Sequence, residues 1–505
     1  MTKEIILILD FGSRYTQLIA QRIRENHVFS LVVPCNISVK EIKLLKPKGI
    51  ILSGGSISVY HKKSKSLLAE KGIFKLNIPI LGICYGARVI VHHLGGKVKS
   101  AKSLELQRRE LFIDDARNLF WQMPGNITCL MSSSDNISKL PSGFKKTAHT
   151  QENPIAAFEC PKKKIFGVSF HPEVVATQRG SQILSNFLYK VCGCIGTWTM
   201  DYFIKGTIAE IKKTVGSSKV IISLNGELSS LVAALLINKA VGKRLKCVFI
   251  DTGLLRSTEV KQIKKVFRHT FNLNLNYLDR SQRFLQNLKG VFDSEEKRRI
   301  IGELSAKLFE EEVKKSKGTD YLAQGTLYSD IIRLGLDARS VPSSRYAKQK
   351  GELPVSEALQ KLKILRPLKD LFKEEIRVVA KELGLPDGMV FRQPFPNEGL
   401  AVRIAGEVTA PRLKILQEAD DCLVEAIKSA GLYEQVWQSF AVLIPPKNVI
   451  AIRCVASTNG ITADWVRLPY DVLEKIARHI LGKVKAVSRV VYDISPKPPV
   501  AIEWE

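Results

Sequence analysis

The segment ILGICYGARVIV, residues 80–91, carries the strongest fold signal in this chain. Its short apolar start is typical of a strand buried in a parallel sheet, and a helical spacing of apolar residues follows the second glycine. Cys84 lies between these parts, flanked by Gly82 and Gly86. Small neighbours permit a strained strand-to-helix turn, and the start of a helix favours a thiolate. An isolated cysteine is more often a small buried apolar residue. The setting favours Cys84 as a nucleophile.

Strand and helix patterns of the same kind extend along most of the chain. Buried strands are predicted in residues 4–12, 49–55, 78–86, 219–226, 246–255 and 275–279, with helices in 14–26 and 87–94. From about Phe391 the order of predicted elements changes: a helix is predicted around 414–430, followed by strands in 440–445, 448–456 and 489–494. The fold class predicted is α/β, with two open, mostly parallel sheets and a small α+β C-terminal domain. The domains expected are 1–197, 198–390 and 391–505.

Length and composition indicate an ordinary globular protein. The chain has 505 residues, of which 45% are hydrophobic and 25% charged, enough for two to four domains. No apolar run approaches the roughly 20 residues of a membrane span, and the N-terminus predicts a buried first strand, not a signal peptide. Its nine cysteines are scattered. We therefore expect a reducing cytoplasm and no metal held by a protein ligand motif.

The net charge of +28 admits two interpretations. It raises nonspecific affinity for nucleic acids or anionic membranes, or it reflects lysines spread over solvated faces. No long Lys/Arg block and no basic stripe with interleaved aromatic residues is present. The second interpretation is favoured, and specific nucleic-acid binding is not predicted.

Partners for the candidate nucleophile lie in GVSFHPEVVATQRG, residues 167–180. His171 can accept the thiol proton, and Glu173 can orient and stabilise the imidazolium. Taken alone, this pair would more often be a strand-end histidine beside a surface glutamate. The SGG stretch adds Gly54 and Gly55, whose backbone N–H groups near a strand end can form an oxyanion hole.

These three elements resemble the class I glutamine amidotransferases. The whole chain is similar to the glutamine-hydrolysing GMP synthase family. The motifs that carry this resemblance include ILILDFGSRYTQLIAQRIRE, ILGICYG, FHPEV, VFIDTGLLR, EEKRRIIGE, YLAQGTLYSDII, LFKEEIRVVAKELGLP, ITADWVRLP, RVVYDISPKPP and AIEWE. They occur in the family's order over essentially all 505 residues.

The resemblance implies an amidotransferase, an ATP pyrophosphatase with a phosphate-binding PP-loop, and a C-terminal dimerisation domain. It implies that Cys84, His171 and Glu173 hydrolyse glutamine, and that ammonia and ATP then convert XMP to GMP. ATP with Mg²⁺ is a substrate, no tightly bound cofactor is implied, and a homodimer is expected. The implied ATP-binding loop is Leu224, Asn225, Gly226, Glu227, Leu228, Ser229 and Ser230. Lys497 and Glu503 are the implied contacts to the nucleotide substrate.

Several segments depart from the family pattern. The family's SGGVDSS loop reads LNGELSS, residues 224–230, so a serine, a glycine and an aspartate have become Leu224, Asn225 and Leu228. Met-Gln after the nucleophile is Ala87-Arg88. Further departures are RYAKQKGE (345–352), QPFPNEGL (393–400), MSSSD (131–135) and PKNVI (446–450), the last bridging a missing segment.

Three functional hypotheses remain at this point. The chain is a GMP synthase, or a catalytically impaired relative of one, or a PP-loop enzyme acting on RNA. The last is suggested only by the charge. The sequence further predicts that Cys84 is the most reactive thiol and that ATP binds more weakly than to a regular PP-loop.

Overall fold

The computed structural model describes residues 3–55, 59–60, 69–99, 106–132, 135–333, 359, 361–457 and 462–504. The chain forms two compact units, Met1–Phe203 and Ile204–Glu505. The division lies close to residue 197, where the first domain was expected to end. The division between the two units falls within helix α5 (Met200–Val215).

The first unit is built on a mixed sheet. The strands of this unit are β1 (Ile5–Asp10), β2 (Phe29–Pro34), β3 (Gly49–Leu52), β4 (Ile80–Ile83), β5 (Lys97–Lys99), β6 (Leu106–Ile113), β7 (Asn126–Ser132), β8 (Asn136–Lys139), β9 (Lys145–His149), β10 (Ala157–Cys160) and β11 (Ile165–Val168), of which β5 and β8 pair with each other outside the mixed sheet. Its helices are α1 (Thr16–Glu25), α2 (Val39–Leu45), α3 (Tyr85–His93) and α4 (Gly180–Asn186). Among the described residues the strand order of the mixed sheet is β2-β1-β3-β4-β11-β10-β9-β6-β7.

Strands β2, β1, β3, β4 and β11 are parallel, and the rest of that sheet is antiparallel. The strands predicted in this half, β1, β3 and β4, are confirmed. The sequence did not predict the antiparallel half, where β6 alternates exposed and half-buried residues instead of forming an apolar run. The parallel half brings the carboxyl ends of β3, β4 and β11 to one edge, where sites in α/β sheets form.

The second unit contains a parallel sheet of order β14-β13-β12-β15-β16 within the described residues. Its strands are β12 (Lys219–Leu224), β13 (Leu245–Asp251), β14 (Leu275–Asp279), β15 (Thr319–Ala323) and β16 (Lys363–Leu365). Its helices are α6 (Leu228–Val241), α7 (Ser257–Lys265), α8 (Ser281–Asn287), α9 (Ser294–Lys315), α10 (Tyr328–Arg333), α11 (Lys373–Glu382) and α12 (Asp387–Val390). The α/β fold class is confirmed for both units.

A smaller sheet and two long helices complete the second unit. They are β17 (Gln438–Ile444), β18 (Val449–Ala456), β19 (Asp464–Trp465), β20 (Arg489–Asp493), α13 (Ala410–Ser429) and α14 (Tyr470–Lys483). One apolar cluster includes Leu254 and Ile301 together with Leu416 and Ile452. The expected boundary at residue 390 therefore crosses a shared core, and the structure groups 204–505 as one unit. No helix among the described residues is both long enough and apolar enough to cross a membrane.

A buried ion pair ties α13 to the rest of this unit. Arg256 Nε donates to Asp420 Oδ2 at 2.5 Å, and the other oxygen of Asp420 accepts the Ala441 N–H at 2.6 Å. Asp420 is fully buried and Arg256 is 7% exposed. Removing one partner of such a pair leaves a buried charge without compensation, which costs more than the pair itself contributes.

We expect Asp420→Ala to destabilise the second unit by about 3 kcal/mol, the lower end of the cost of breaking a buried ion pair, because Arg256 then keeps only its 3.0 Å ion pair with Glu259. The neighbouring Asp421→Ala is the matched control. It removes one hydrogen bond from Thr258, formed at 3.0 Å, and should cost about 0.5–1.5 kcal/mol. Hydrogen exchange read on peptides from 204–505 measures both. Equal destabilisation by the two variants would contradict the prediction.

Candidate active site

The predicted nucleophile lies in a sharp turn between β4 and α3. Cys84 has backbone angles φ 53° and ψ −105°, which a residue with a side chain rarely adopts. Its N–H donates to the Val168 carbonyl at 2.8 Å, and the Gly86 N–H donates to the Ser53 carbonyl at 3.1 Å. These bonds join the turn to the neighbouring strands β11 and β3.

The two flanking glycines are required by close packing. A Cβ at Gly86 would lie 2.2 Å from the Leu52 carbonyl oxygen, and one at Gly82 would lie 2.6 Å from the Ala87 nitrogen. Both separations are shorter than real Cβ contacts. A side chain at either position would therefore push α3 away from the sheet and move Cys84.

His171 and Glu173 follow β11, the strand beside β4, and therefore lie at the same edge of the sheet. His171 Nδ1 lies 2.7 Å from Glu173 Oε1, and the exposed fractions of these residues are 4% and 0%. The side chains of Cys84 and His171 also interact electrostatically. The structure thus brings together the three residues predicted from the sequence.

The electrostatics of this cluster favour a thiolate–imidazolium pair. Burial raises the pKa of the Cys84 thiol, but the Arg88 guanidinium and the hydrogen bond and charge of His171 outweigh it, so the pKa is lowered. Burial lowers the pKa of His171, yet its bonds to Cys84 and Glu173 raise it to about 10. Both shifts favour the thiolate over the thiol, and the thiolate is the form that nucleophilic attack requires.

The glycines predicted as an oxyanion hole lie beside this pair. A Cβ at Gly54 would lie 3.3 Å from His171 Cε1, and one at Gly55 would lie 3.0 Å from the Tyr85 ring. Within the described part of the chain, neither glycine uses its N–H in a hydrogen bond. These two N–H groups are free donors at the edge where Cys84 and His171 meet.

Supporting contacts were missed by the sequence reasoning. Thr177 Oγ1 donates to the His171 carbonyl at 2.6 Å, and Arg22 Nε donates to the Glu173 carbonyl at 3.1 Å. The Tyr15 ring stands edge-on to His171, with centroids 5.1 Å apart. Local sequence patterns do not predict the contacts of Arg22 and Tyr15, because α1 and β11 are far apart along the chain.

The seven residues of the predicted ATP loop connect β12 to α6. Leu224 is only 2% exposed, so its side chain lies in the core below the loop. Asn225 Oδ1 accepts the Glu227 N–H at 3.1 Å and lies 2.9 Å from the Ser230 hydroxyl. Gly226 has φ +80°, which favours glycine. Two donors of this loop, the Glu227 N–H and the Ser230 hydroxyl, therefore face Asn225 of the same loop.

The same loop is held from outside by Arg392. Its Nη1 donates to the Gly226 carbonyl at 2.7 Å, and its Nε and Nη2 each lie 2.9 Å from the Glu259 carboxylate. Asn225 Nδ2 donates to Asn397 at 3.3 Å. Leu228 and Ser229 are half-buried and Glu227 is exposed at the start of α6. The sequence did not identify Arg392 as part of this site.

Of the two predicted XMP contacts, Glu503 is held by other side chains. It forms a two-point ion pair with Arg403, at 3.1 Å for each bond, and accepts Gln438 Nε2 at 3.0 Å. Lys497 is half-buried, and its backbone pairs with Ala463. The segment 392–397 connects this region with the ATP loop.

The departures at 393–400 and 446–450 also have structural roles. Gln393 donates to the carbonyls of Tyr433 and Val436, both at 3.0 Å, and accepts from Ser439 at 2.8 Å. PKNVI contributes to the short turn 445–448 between β17 and β18. Residues 345–352 and 133–134 lie outside the described residues.

We expect Cys84 to be the thiol that iodoacetamide modifies fastest near neutral pH. Burial raises the pKa of Cys129, Cys194, Cys247 and Cys454 to about 12, whereas that of Cys84 is lowered. Its reactivity should persist below pH 9 and fall as acid protonates the thiolate. Peptide mapping after brief labelling measures this. Preferential labelling of another cysteine, with Cys84 unmodified, would refute it.

Comparison with known proteins is consistent with this geometry. Residues 7–191 match the class-I glutamine amidotransferase family model, and residues 425–504 match that of the GMP synthase C-terminal domain. The chain is 46% identical to GMP synthase [glutamine-hydrolyzing] of Brachyspira hyodysenteriae, over 99% of each chain. It is 45% and 46% identical to the proteins of the same name from Alkaliphilus metalliredigens and Acetivibrio thermocellus, over 100% of each chain. The chain therefore belongs to the glutamine-hydrolysing GMP synthase family.

Proposed function

We propose that this chain makes GMP from XMP, using ATP and ammonia that it releases from glutamine. The observation that carries the proposal is the buried Cys84–His171–Glu173 cluster, in which His171 Nδ1 lies 2.7 Å from Glu173 Oε1 and the pKa of the Cys84 thiol is lowered. Membership of the GMP synthase family supports the choice of glutamine, XMP and ATP as substrates.

The first reaction is glutamine hydrolysis. The Cys84 thiolate attacks the carboxamide carbon, and the N–H groups of Gly54 and Gly55 stabilise the resulting oxyanion. The His171 imidazolium gives its proton to the departing ammonia, leaving a thioester. His171 then accepts a proton from water, which attacks the thioester, so that glutamate leaves and the thiolate returns. Glu173 keeps the imidazole oriented and stabilises its charged form.

The second reaction consumes this ammonia. ATP transfers AMP to the oxygen of XMP that is to be replaced, pyrophosphate leaves with Mg²⁺, and ammonia displaces AMP to give GMP. Residues Leu224–Ser230 are proposed for the phosphates, and Lys497 and Glu503 for the XMP side. The proposal includes domains 1–197, 198–390 and 391–505 and a homodimer. All nine cysteines are free thiols, which agrees with a reducing cytoplasm.

A second candidate is a family member in which the ATP-dependent reaction is weakened. It is favoured by Asn225, which accepts a backbone N–H and faces the Ser230 hydroxyl, both donors that a phosphate would need. Leu228 offers no oxygen to a Mg²⁺ ion, and the buried Leu224 offers no hydroxyl. Under this candidate the chain hydrolyses glutamine but makes GMP slowly.

A parallel assay of the purified chain separates these candidates. With XMP, ATP and Mg²⁺, we expect GMP from either glutamine or ammonium. Cys84→Ala should abolish GMP formation from glutamine but leave that from ammonium unchanged, because only the first reaction needs the sulfur. Cys129→Ala is the control for loss of a buried thiol. Glutamate without GMP from either nitrogen source would favour the second candidate; no glutamate and no GMP would reject both.

For ATP binding we expect the variant L224S/N225G/L228D to bind at least about tenfold more tightly than the native chain. It frees one donor, the Glu227 N–H, whereas the Ser230 hydroxyl keeps the Glu227 carbonyl at 2.9 Å as an acceptor. A hydrogen bond to a charged group contributes about 1.5–3 kcal/mol, against 1.4 kcal/mol per factor of ten. Asn272→Gly, the same kind of substitution outside the loop, is the control. Calorimetry with Mg²⁺-ATP measures the change. Tight binding by the native chain, unaltered in the variant, would exclude the second candidate.

A further inference from the structure

Arg392 contacts the candidate ATP loop at the peptide bond between Gly226 and Glu227. Its Nη1 donates to the Gly226 carbonyl at 2.7 Å, and a Cβ at Gly226 would lie 3.0 Å from the same nitrogen. On the same peptide, the Glu227 N–H donates to Asn225 Oδ1 at 3.1 Å. This peptide is trans, so its carbonyl and its N–H point in opposite directions. Arg392 therefore bonds to one side of the peptide, and the N–H faces the other.

The guanidinium of Arg392 is itself held by Glu259, in the first turn of α7. Its Nε and Nη2 each lie 2.9 Å from one oxygen of that carboxylate, so the two planar groups meet at two points. Arg256 Nη1 lies 3.0 Å from the same carboxylate, and Arg256 Nε bonds to the fully buried Asp420. The side chains of Glu259 and Arg392 are only 12% and 18% exposed. A chain of alternating charges thus connects the core of the second unit to the Gly226 carbonyl.

These contacts assign different tasks to the arginine and to the peptide. All three nitrogens of the Arg392 guanidinium already have protein acceptors. A phosphate would have to compete with the Glu259 carboxylate for this group. The Glu227 N–H, in contrast, donates to the neutral amide oxygen of Asn225, which a phosphate oxygen can replace. The peptide N–H is therefore the donor available to a phosphate, and Arg392 sets its direction.

We propose that Arg392 is a positioning residue for the phosphates of ATP, which fixes the peptide between Gly226 and Glu227 so that its N–H points at them. This inference rests on the proposed ATP site and adds two residues that act on it without touching the nucleotide. A charged donor on the carbonyl also polarises the peptide, which makes its N–H the stronger donor. Glu259 acts one step further away, by holding Arg392.

Calorimetry on the full chain tests this with two probes, Mg²⁺-pyrophosphate and Mg²⁺-ATP. Arg392→Gln removes the bond to the Gly226 carbonyl. We expect both probes to bind about tenfold more weakly, the factor that one hydrogen bond to a charged group contributes. The two factors should be equal, because Arg392 acts on the phosphates and not on the nucleoside. Arg412→Gln is the matched control, since Arg412 donates to the Glu407 carbonyl at 2.9 Å. It should leave both affinities unchanged.

Glu259→Gln separates positioning from a simple effect of charge. The change removes a negative charge beside the loop, which by itself would strengthen the binding of an anion. Because Glu259 holds Arg392 at two points, we expect the opposite sign: both probes should bind about threefold to tenfold more weakly, as for a lost neutral hydrogen bond.

Tighter binding of either probe by Glu259→Gln would overturn the proposal, because Arg392 would then act by its charge or bind the phosphate directly. Native affinity in Arg392→Gln would also overturn it, as would losses that differ between the two probes. A native chain that binds neither probe would do the same. Weakening of both probes in both variants, in a chain that forms no GMP from ammonium, would support Arg392 and reject only the proposed second reaction.

Discussion

The first unit depends on one close backbone approach, between the end of β3 and the start of α3. The Gly86 N–H bonds to the Ser53 carbonyl at 3.1 Å, and the missing Cβ of Gly86 leaves room for the Leu52 carbonyl. With the helix this close to the sheet, Cys84 takes a positive φ at the sheet edge where His171 also lies. The cost of such a conformation, about 1–3 kcal/mol, is typical of functional sites.

The polar groups at the two candidate sites differ in whether they already have hydrogen-bond partners. At Cys84, donors and charges stay available: the Arg88 Nε and the Glu173 Oε2 are buried without hydrogen-bond partners among the described residues. At the ATP loop, Asn225 accepts the Glu227 N–H, a donor that would otherwise be available to a phosphate. Unpaired buried groups cost stability and are kept where a ligand or a reaction uses them. The Cys84 cluster therefore retains unpaired buried groups, whereas the loop at residues 224–230 bonds one of its own donors.

Sequence patterns predicted the elements that depend on local periodicity. The apolar runs of β1, β3, β4, β12 and β13 and the Gly-Ile-Cys-Tyr-Gly turn follow from short-range rules. The candidate triad was predicted from the separate motifs around Cys84 and His171. Contacts across the chain were not predictable, because nothing local specifies them. Arg392 reaches Gly226 over 166 residues, and Glu503 pairs with Arg403 over 100. Gln393 lies in a segment that departs from the family pattern, and its amide bonds to Ser439 in β17 and to the Tyr433 carbonyl after α13.

The most direct measurement of the central claim is the rate of Cys84 modification in Gly86→Ala compared with Gly125→Ala. Gly125 has open space around its missing Cβ, whereas Gly86 has the Leu52 carbonyl oxygen at 2.2 Å. The account predicts that Gly125→Ala labels at the native rate at pH 7. In Gly86→Ala, Cys84 should become as slow as the other buried thiols. A folded Gly86→Ala protein that labels Cys84 at the native rate would show that this close approach does not position the nucleophile.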